Sequence, residues 1–357
     1  MKSHFQPISL FTLIFVIAVA AVTSPCIAAG NDAATQPLFE TNEVLRVQIE
    51  APFTTVMRDR SSDQYQDGLF HVITESGTRE TLELKIRTRG NYRRKAEHCE
   101  FAPLRLNFSK NQVSGTVFDG QDKLKLVTHC DHSGRAYEQS VLLEHLAYRI
   151  LNELTSLSFR VRLLQVDYID TDRDNKSRTK YAFLIEDDEA LYRRIGMQFA
   201  EIESASAEQL GPQQTALIGV FHYLIGNTDF STLRGAAGEF CCHNIALVRG
   251  TGTELLPIAY DFDLSGLVDA PYATPNPKLK IEKVTQRLYR GFCIHNEQLE
   301  GSIAVLSEKR HAIAMLVEEQ EGLLKASRQT ATRYIDKFYD RLSSDSGIER
   351  NLIRVCL

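Results

Sequence analysis

Glu80-Thr-Leu-Glu-Leu-Lys-Ile-Arg-Thr-Arg89 alternates in character along its length. Side chains of a strand point to opposite faces in turn, so the period of two predicts a strand with Leu82, Leu84 and Ile86 on one face and Glu83, Lys85 and Arg87 on the other. Upstream, residues 44–50 and 69–74 read the same way, and downstream so do residues 104–108 and 123–127. Residues 137–154 change period: Val141, Leu142, Leu146, Ile150 and Leu154 form one stripe of a helix. Two further strands follow at residues 160–169 and 181–185, with a charged hairpin tip at 170–178. The second half reads as helical. One helix ends near residue 225 and starts in earnest at Gly211-Pro212. A short hairpin, residues 243–248 and 255–259, interrupts the helices before amphipathic runs at 296–320, 323–342 and 348–355. The class expected is α+β, with a strand-rich part over 44–187 and a helical part over 188–357 that carries the inserted hairpin.

With 43% hydrophobic and 24% charged residues, the chain has the means to bury a sizeable core. Its formal net charge of -5 gives no reason to expect a nucleic-acid partner. Lys2, the apolar run 8–22 and the small residues of Ile27-Ala-Ala29 predict a signal peptide over 1–29, too short for a spanning helix. A flexible leader is expected over 30–43. The mature protein is thus expected to be exported, periplasmic or extracellular, with no stable membrane span after cleavage. Removing Cys26 with the signal leaves Cys99, Cys130, Cys241, Cys242, Cys293 and Cys356, an even set that reads as disulfides in an exported chain. Cys99 and Cys130 flank strand-like segments in the same half and are expected to pair; the pairing of the other four stays open. Zinc held by these two with His98, His129 and His132 is the alternative, and the spacing fits no common zinc pattern.

Three segments carry candidate chemistry: Ile225-Gly-Asn-Thr-Asp229, His243-Asn244 and Ala259-Tyr-Asp-Phe-Asp-Leu-Ser-Gly266. An Asp, then an Asn, then an Asp beside an aromatic is an order found where phosphoryl groups are transferred. Asp229 would accept the proton of an acceptor hydroxyl. Asn244 and Asp261 would supply oxygen ligands that a hard cation takes, and Asp263 would be a second ligand or the partner of a nearby cationic side chain. The plainer reading is a buried acidic turn, and Asn227-Thr-Asp229 also suits a helix cap. Lys123 and Lys125 share one strand face, so one of them would hold phosphate, positioned by Glu138 or Glu144, with Glu144 favoured. Arg89, with Arg87, stands beside Gly90 at a strand end and would bind phosphate or close the turn. His222 reads as a core histidine; Arg287, Arg290 and Cys293 read as a basic patch that would receive a phosphorylated or acidic partner or, more simply, as a surface helix ending in a disulfide.

The stretches Arg89-Gly-Asn91, Leu104-Arg-Leu106, Lys123-Leu-Lys-Leu126, Leu146-Ala-Tyr148, Gly226-Asn-Thr-Asp229, His243-Asn244 and Tyr260-Asp-Phe-Asp263 resemble the CotH-like spore-coat kinases over most of the mature chain. The resemblance implies a two-lobed protein-kinase-like fold, ATP with Mg²⁺ or Mn²⁺, and a protein hydroxyl as acceptor. It implies Asp229 as catalytic residue, Arg89, Lys123, Lys125 and Glu144 around the nucleotide, and Asn244, Asp261 and Asp263 around the metal. The chain departs from the pattern in the long insert 230–243 and in lacking a glycine-rich phosphate loop, Gly115 and Gly120 being isolated. ATP is scarce in a bacterial periplasm. That favours, as the alternative, an inactive kinase-scaffold protein with a binding or structural role in the cell envelope. A metal-dependent hydrolase using the same acids is a third reading.

Overall fold

The computed structural model describes residues 1–2, 36–73, 77–131, 134–236, 240–250 and 252–357. Except for its first two residues, the expected signal peptide lies outside them. Of the expected leader, residues 36–43 are described and are anchored: Leu38 is fully buried and Phe39 nearly so, and Arg162 donates to the Thr41 carbonyl at 2.7 Å.

In chain order the strand-rich half contains β1 (Leu45–Ala51), α1 (Phe53–Arg58), β2 (Gln66–Ile73), β3 (Arg79–Thr88), β4 (Leu104–Phe108), α2 (Lys110–Val113), β5 (Lys123–Val127), α3 (Arg135–Leu154), β6 (Val161–Asp170) and β7 (Lys176–Ile185). It continues with α4 (Asp188–Ile195), β8 (Gln198–Phe199), α5 (Pro212–Ile225), β9 (Ile245–Arg249), β10 (Leu255–Ala259), α6 (Leu299–Glu308), α7 (Arg310–Glu319), α8 (Lys325–Arg341) and α9 (Asp345–Asn351). The seven strands β1-β2-β3-β4-β5-β7-β6 close into a barrel. Closure comes from a parallel pairing of β1 with β6, Leu45 opposite Leu164 through Ala51 opposite Asp170. The alternation of β3 points Leu82, Leu84 and Ile86 inward. There they meet Leu104, Leu106 and Leu124 from the neighbouring strands and Phe70 from β2. A barrel of this size has an interior that side chains fill.

The two-lobed kinase-like fold is therefore wrong for this chain. The strands form a closed mixed barrel rather than the open sheet of a small lobe. Thr35–Leu357 is one compact unit. The helix expected at 137–154 is α3, and it is buried along most of its length instead of on one stripe. Val127, Leu163 and Phe183 on the outside of the barrel share a continuous apolar cluster with α3, α5 and the C-terminal helices. Among the described residues the outer face of the barrel and the helices therefore share one apolar core, while the barrel interior forms a second. Periodicity gives each strand its inner face but says nothing of its partner, and the closing pair β1 and β6 is far apart in sequence.

Cys99 and Cys130 are bonded, Cα–Cα 4.7 Å, as their placement predicted. Cys293 pairs with Cys356, and the neighbours Cys241 and Cys242 form the third pair. Disulfides suit an exported chain. Among the described residues no helix is long and apolar enough to cross a membrane.

Two predictions follow from this packing. Replacing Cys99 and Cys130 together by Ser frees a loop of 31 residues and should cost about 2–5 kcal/mol; an unchanged melting midpoint under non-reducing conditions would count against it. The second concerns His145, buried in α3 and bonded to Gln320 at 3.0 Å. Burial lowers its pKa from 6.5 to about 3. The folded chain keeps the ring neutral where the unfolded chain protonates it, so stability present above about pH 6.5 is lost as pH falls below it. At about pH 5 the loss should be ~2 kcal/mol. His145→Gln should show a smaller drop in melting temperature than the parent between about pH 7.5 and pH 5, and equal drops would refute the assignment.

Candidate active site

The hairpin β9–β10 sets the site. Ile245 stands opposite Ala259 at its open end, so the residues just outside, Asn244 and Tyr260, are neighbours, and the Tyr260 N–H donates to the Asn244 carbonyl at 3.1 Å. Asn244 has φ 54° and Asp261 φ 61°. Both lie in the left-handed region that non-glycine residues avoid, and Asn and Asp tolerate it best. Such conformations persist where the surroundings enforce them. Here the Asp261 N–H donates to the Tyr148 hydroxyl of α3 at 2.8 Å. Phe262 is fully buried, its ring 4.5 Å from that of Tyr148. With Phe262 in the core, Asp261 and Asp263 emerge on either side of it.

Asp229 arrives from α5. Gly226 ends that helix with φ 65°, and a Cβ there would collide with the Tyr334 hydroxyl. The Asn227 N–H reaches back to the His222 carbonyl at 2.8 Å, closing the helix end. Arg290 then holds the next segment, donating to the carbonyls of Thr228 and Phe230, each at 2.7 Å. The insert 230–243 returns to its start: Ser231 bridges to His243. As a result His243 Nε2 lies 3.0 Å from Asp229 Oδ1. Asn244 Nδ2 donates to the Asp229 carbonyl at 2.7 Å and to its Oδ2 at 3.0 Å. Asp229 and Asn244 are thus bonded beside the end of β10, from which Asp261 and Asp263 follow.

Arg93 organises the rest. Its guanidinium lies 3.4 Å from Glu144, 3.3 Å from Asp263 and 3.9 Å from Asp261. The Tyr272 hydroxyl donates to Asp263 Oδ2 at 3.1 Å. One cation facing three carboxylates leaves an excess of negative charge in a buried place. Burial first, and then that excess against the pull of Arg93, raises Glu144 to about 8 and Asp263 to about 6. Asp261 is different: its side chain is 48% exposed and Arg93 is at the limit of contact.

Glu144 meets Arg93, not a lysine, and Glu138 is engaged by Tyr181 N and Lys180 of β7. Lys125 is tied to Asp188 at 2.7 and 2.8 Å. Lys123 is exposed at the start of β5 and is not brought in. Arg89 is half-buried, and its side chain has no hydrogen-bond or ion-pair partner among the described residues. Desolvation lowers its pKa, while the nearby charge of Asp261 raises it and the charges of Arg93 and Arg105 lower it.

Sequence reasoning missed Arg93 and Tyr272, named Tyr148 only as part of a resembling stretch, and took Arg290 for part of a surface segment. Arg93 lies two residues past the quoted Arg89-Gly-Asn91 and has no periodic neighbours to mark it as buried. Tyr148 is one turn beyond Glu144 on α3, so both face the same way, but nothing in the sequence named a partner for its hydroxyl. Arg287 and Arg290 are not surface residues: Arg287 is buried and donates to the last carbonyls of α5, Tyr223 and Leu224.

The fit of a divalent metal can be judged from these contacts. Among the described residues no group of three or more His, Cys, Asp or Glu could hold one. The Asp261 carboxylate has no closer side-chain cation than Arg93 at 3.9 Å, and the side-chain oxygen Oδ1 of Asn244 has no donor among the described residues; two oxygen ligands are what Mg²⁺ takes when phosphates and water fill its shell. Asp263 is occupied by Arg93 and Tyr272 and suits the role less. Compared with known proteins, the chain matches no protein-family model and no curated protein.

Arg93→Met should leave Glu144 and Asp263 buried without a cation and cost about 3–5 kcal/mol. Adding Glu144→Gln in the same chain should recover part of that loss. Melting curves of parent, single and double variants test it, and a double variant no more stable than the single would show that Glu144 does not depend on Arg93.

Proposed function

We propose that this chain is exported and transfers the terminal phosphoryl group of ATP to a protein hydroxyl with Mg²⁺ or Mn²⁺, the activity implied by its resemblance to CotH-like kinases. The barrel is no part of that reading, which rests on the site alone. The observation that carries it is the half-exposed Asp261 carboxylate held beside Asn244 and Asp229, with the unpaired Arg89 guanidinium nearby.

Phosphoryl transfer asks little covalent work of a protein; it needs alignment and cancellation of charge. Arg89 is the cation available for phosphate oxygens. Lys125 adds charge behind it but is held by Asp188. Asp261 and Asn244 would hold the metal, which when bound neutralises charge on the phosphates. Asp229 would take the proton of the attacking hydroxyl as its oxygen bonds to phosphorus and ADP departs. His243 and Asn244 orient the Asp229 carboxylate for that task. A second reading, a binding or structural protein without catalysis, is favoured by one observation: Arg93 already compensates Glu144 and Asp263, as in a purely structural charge cluster.

The two readings part on paired variants. Asp261→Asn should abolish metal-dependent ATP binding, since an amide cannot offset the charge that a carboxylate does. Asp229→Asn should still bind ATP while transfer falls roughly 10²–10⁴-fold, as for a lost general base. ATP with Mg²⁺ should raise the melting temperature of the parent and of Asp229→Asn only. A parent that does not respond to millimolar ATP, or an Asp261→Asn variant that binds and turns over like the parent, would favour the binding protein.

A further inference from the structure

A cavity of about 350 Å³ opens where α1 and the β6–β7 hairpin meet, and no residue of the acidic site lines it. Its apolar wall is Phe53, Met57, Phe101 and Tyr168. The three rings pack against one another at 5.0–5.5 Å between centroids and are fixed by burial. Its polar wall is cationic: Arg58, Arg60, Arg173, Lys176 and Arg178.

These charges are mostly uncompensated. Arg58 is paired with Asp59 at 2.9 Å. Arg60 instead donates to neutral carbonyls, those of Met57 at 2.7 Å, Cys99 at 2.8 Å and Glu100 at 2.9 Å. These bonds fix its guanidinium but leave its charge standing. Arg173, Lys176 and Arg178 have no ion pair among the described residues. Two carboxylates also line the cavity, Glu100 and Asp170. Asp170 accepts from neutral donors, the Thr54 hydroxyl at 2.6 Å, the Thr54 N–H at 3.2 Å and the Asp172 N–H at 3.2 Å, so its charge stands as well, and the lining cations still outnumber the lining carboxylates five to two. In a chain whose formal net charge is -5, this is a local reversal of sign. A cavity of this volume, with an aromatic wall and convergent charged groups, has the make-up of a small-molecule site.

We propose that the cavity binds a small organic anion with a flat apolar body, an aryl carboxylate or aryl sulfonate. The small exposed parts of these rings, each 3–4% accessible, with Met57 would line one side of its body, and Arg60, Arg178 and Lys176 would face its charge. A neutral body would leave the cations without a counter-charge, and a bare inorganic anion would leave the aromatic wall unused. The inference is independent of the phosphoryl-transfer reading.

The probe is 8-anilinonaphthalene-1-sulfonate, whose fluorescence reports burial, on the full mature chain. It should bind saturably to one site, be displaced by 2-naphthoate, and resist displacement by the neutral 2-naphthylmethanol. Lys176 is exposed and Arg178 half-buried on β7, so Lys176→Ala with Arg178→Ala should leave the melting temperature near that of the parent. The same double variant should weaken the dye at least about tenfold, the loss expected for two charge-assisted contacts. Filling the wall instead, Met57→Glu should also abolish binding by repelling the anion. No saturable binding by the parent, equal displacement by the alcohol, or an unaltered affinity in the double variant would each overturn the proposal.

Discussion

The Arg93 guanidinium is the tie on which the site depends. It comes from the loop between β3 and β4, and the carboxylates it faces come from α3 and from the segment after β10. Barrel, central helix and hairpin are thereby joined at one charge. A buried ion pair of this kind stabilises little compared with apolar packing, but removing one partner is costly because the others stay buried. That asymmetry gives the cluster its rigidity. It also divides the acids into two kinds. Glu144 and Asp263 are enclosed and shifted towards their protonated forms, whereas Asp261 reaches solvent. Proximity in sequence does not make Asp261 and Asp263 equivalent; the fully buried Phe262 between them sends one outward and one inward.

The second constraint is the hairpin. An antiparallel pair brings the residue before its first strand next to the residue after its second, whatever the length of the turn between. Asn244 and Asp261 are neighbours for that reason, and both take the left-handed conformation there. The same logic disposes of the insert 230–243 as an obstacle. Its ends are bonded to each other through Ser231 and His243, so its length does not separate Asp229 from Asn244.

Local features were legible in the sequence and long-range ones were not. The alternation of residues 80–89 named the inward face of β3 correctly, and the glycine and proline at 211–212 marked the start of α5. Asp229, Asn244 and Asp261 were read from the sequence as one site with Lys123 or Lys125; the hairpin makes neighbours of Asn244 and the segment of Asp261, but Lys125 is tied to Asp188 and Lys123 stays exposed. Barrel closure was hidden, since β1 and β6 pair across more than a hundred residues and nothing in either strand names the other. The burial of α3 on nearly all sides was hidden in the same way: its stripe was real, but Gln139, Glu144 and His145 are also buried, each with a polar partner from another element. Arg93 was missed because an arginine in a loop reads as solvated until its partners are known.

Net charge conceals a further organisation. A formal -5 suggests a mildly acidic surface, yet cations are concentrated at two places, around Arg89 and around the cavity of Arg60, Arg173, Lys176 and Arg178. Charges exposed on a surface are screened within about a Debye length, roughly 8 Å at physiological salt. A patch partly enclosed by apolar walls is screened less, because field lines are confined by the low-dielectric protein on either side. An uncompensated guanidinium such as Arg60, held by carbonyls rather than carboxylates, pays desolvation without an ionic return. A ligand of opposite charge bound at such a place would offset that cost.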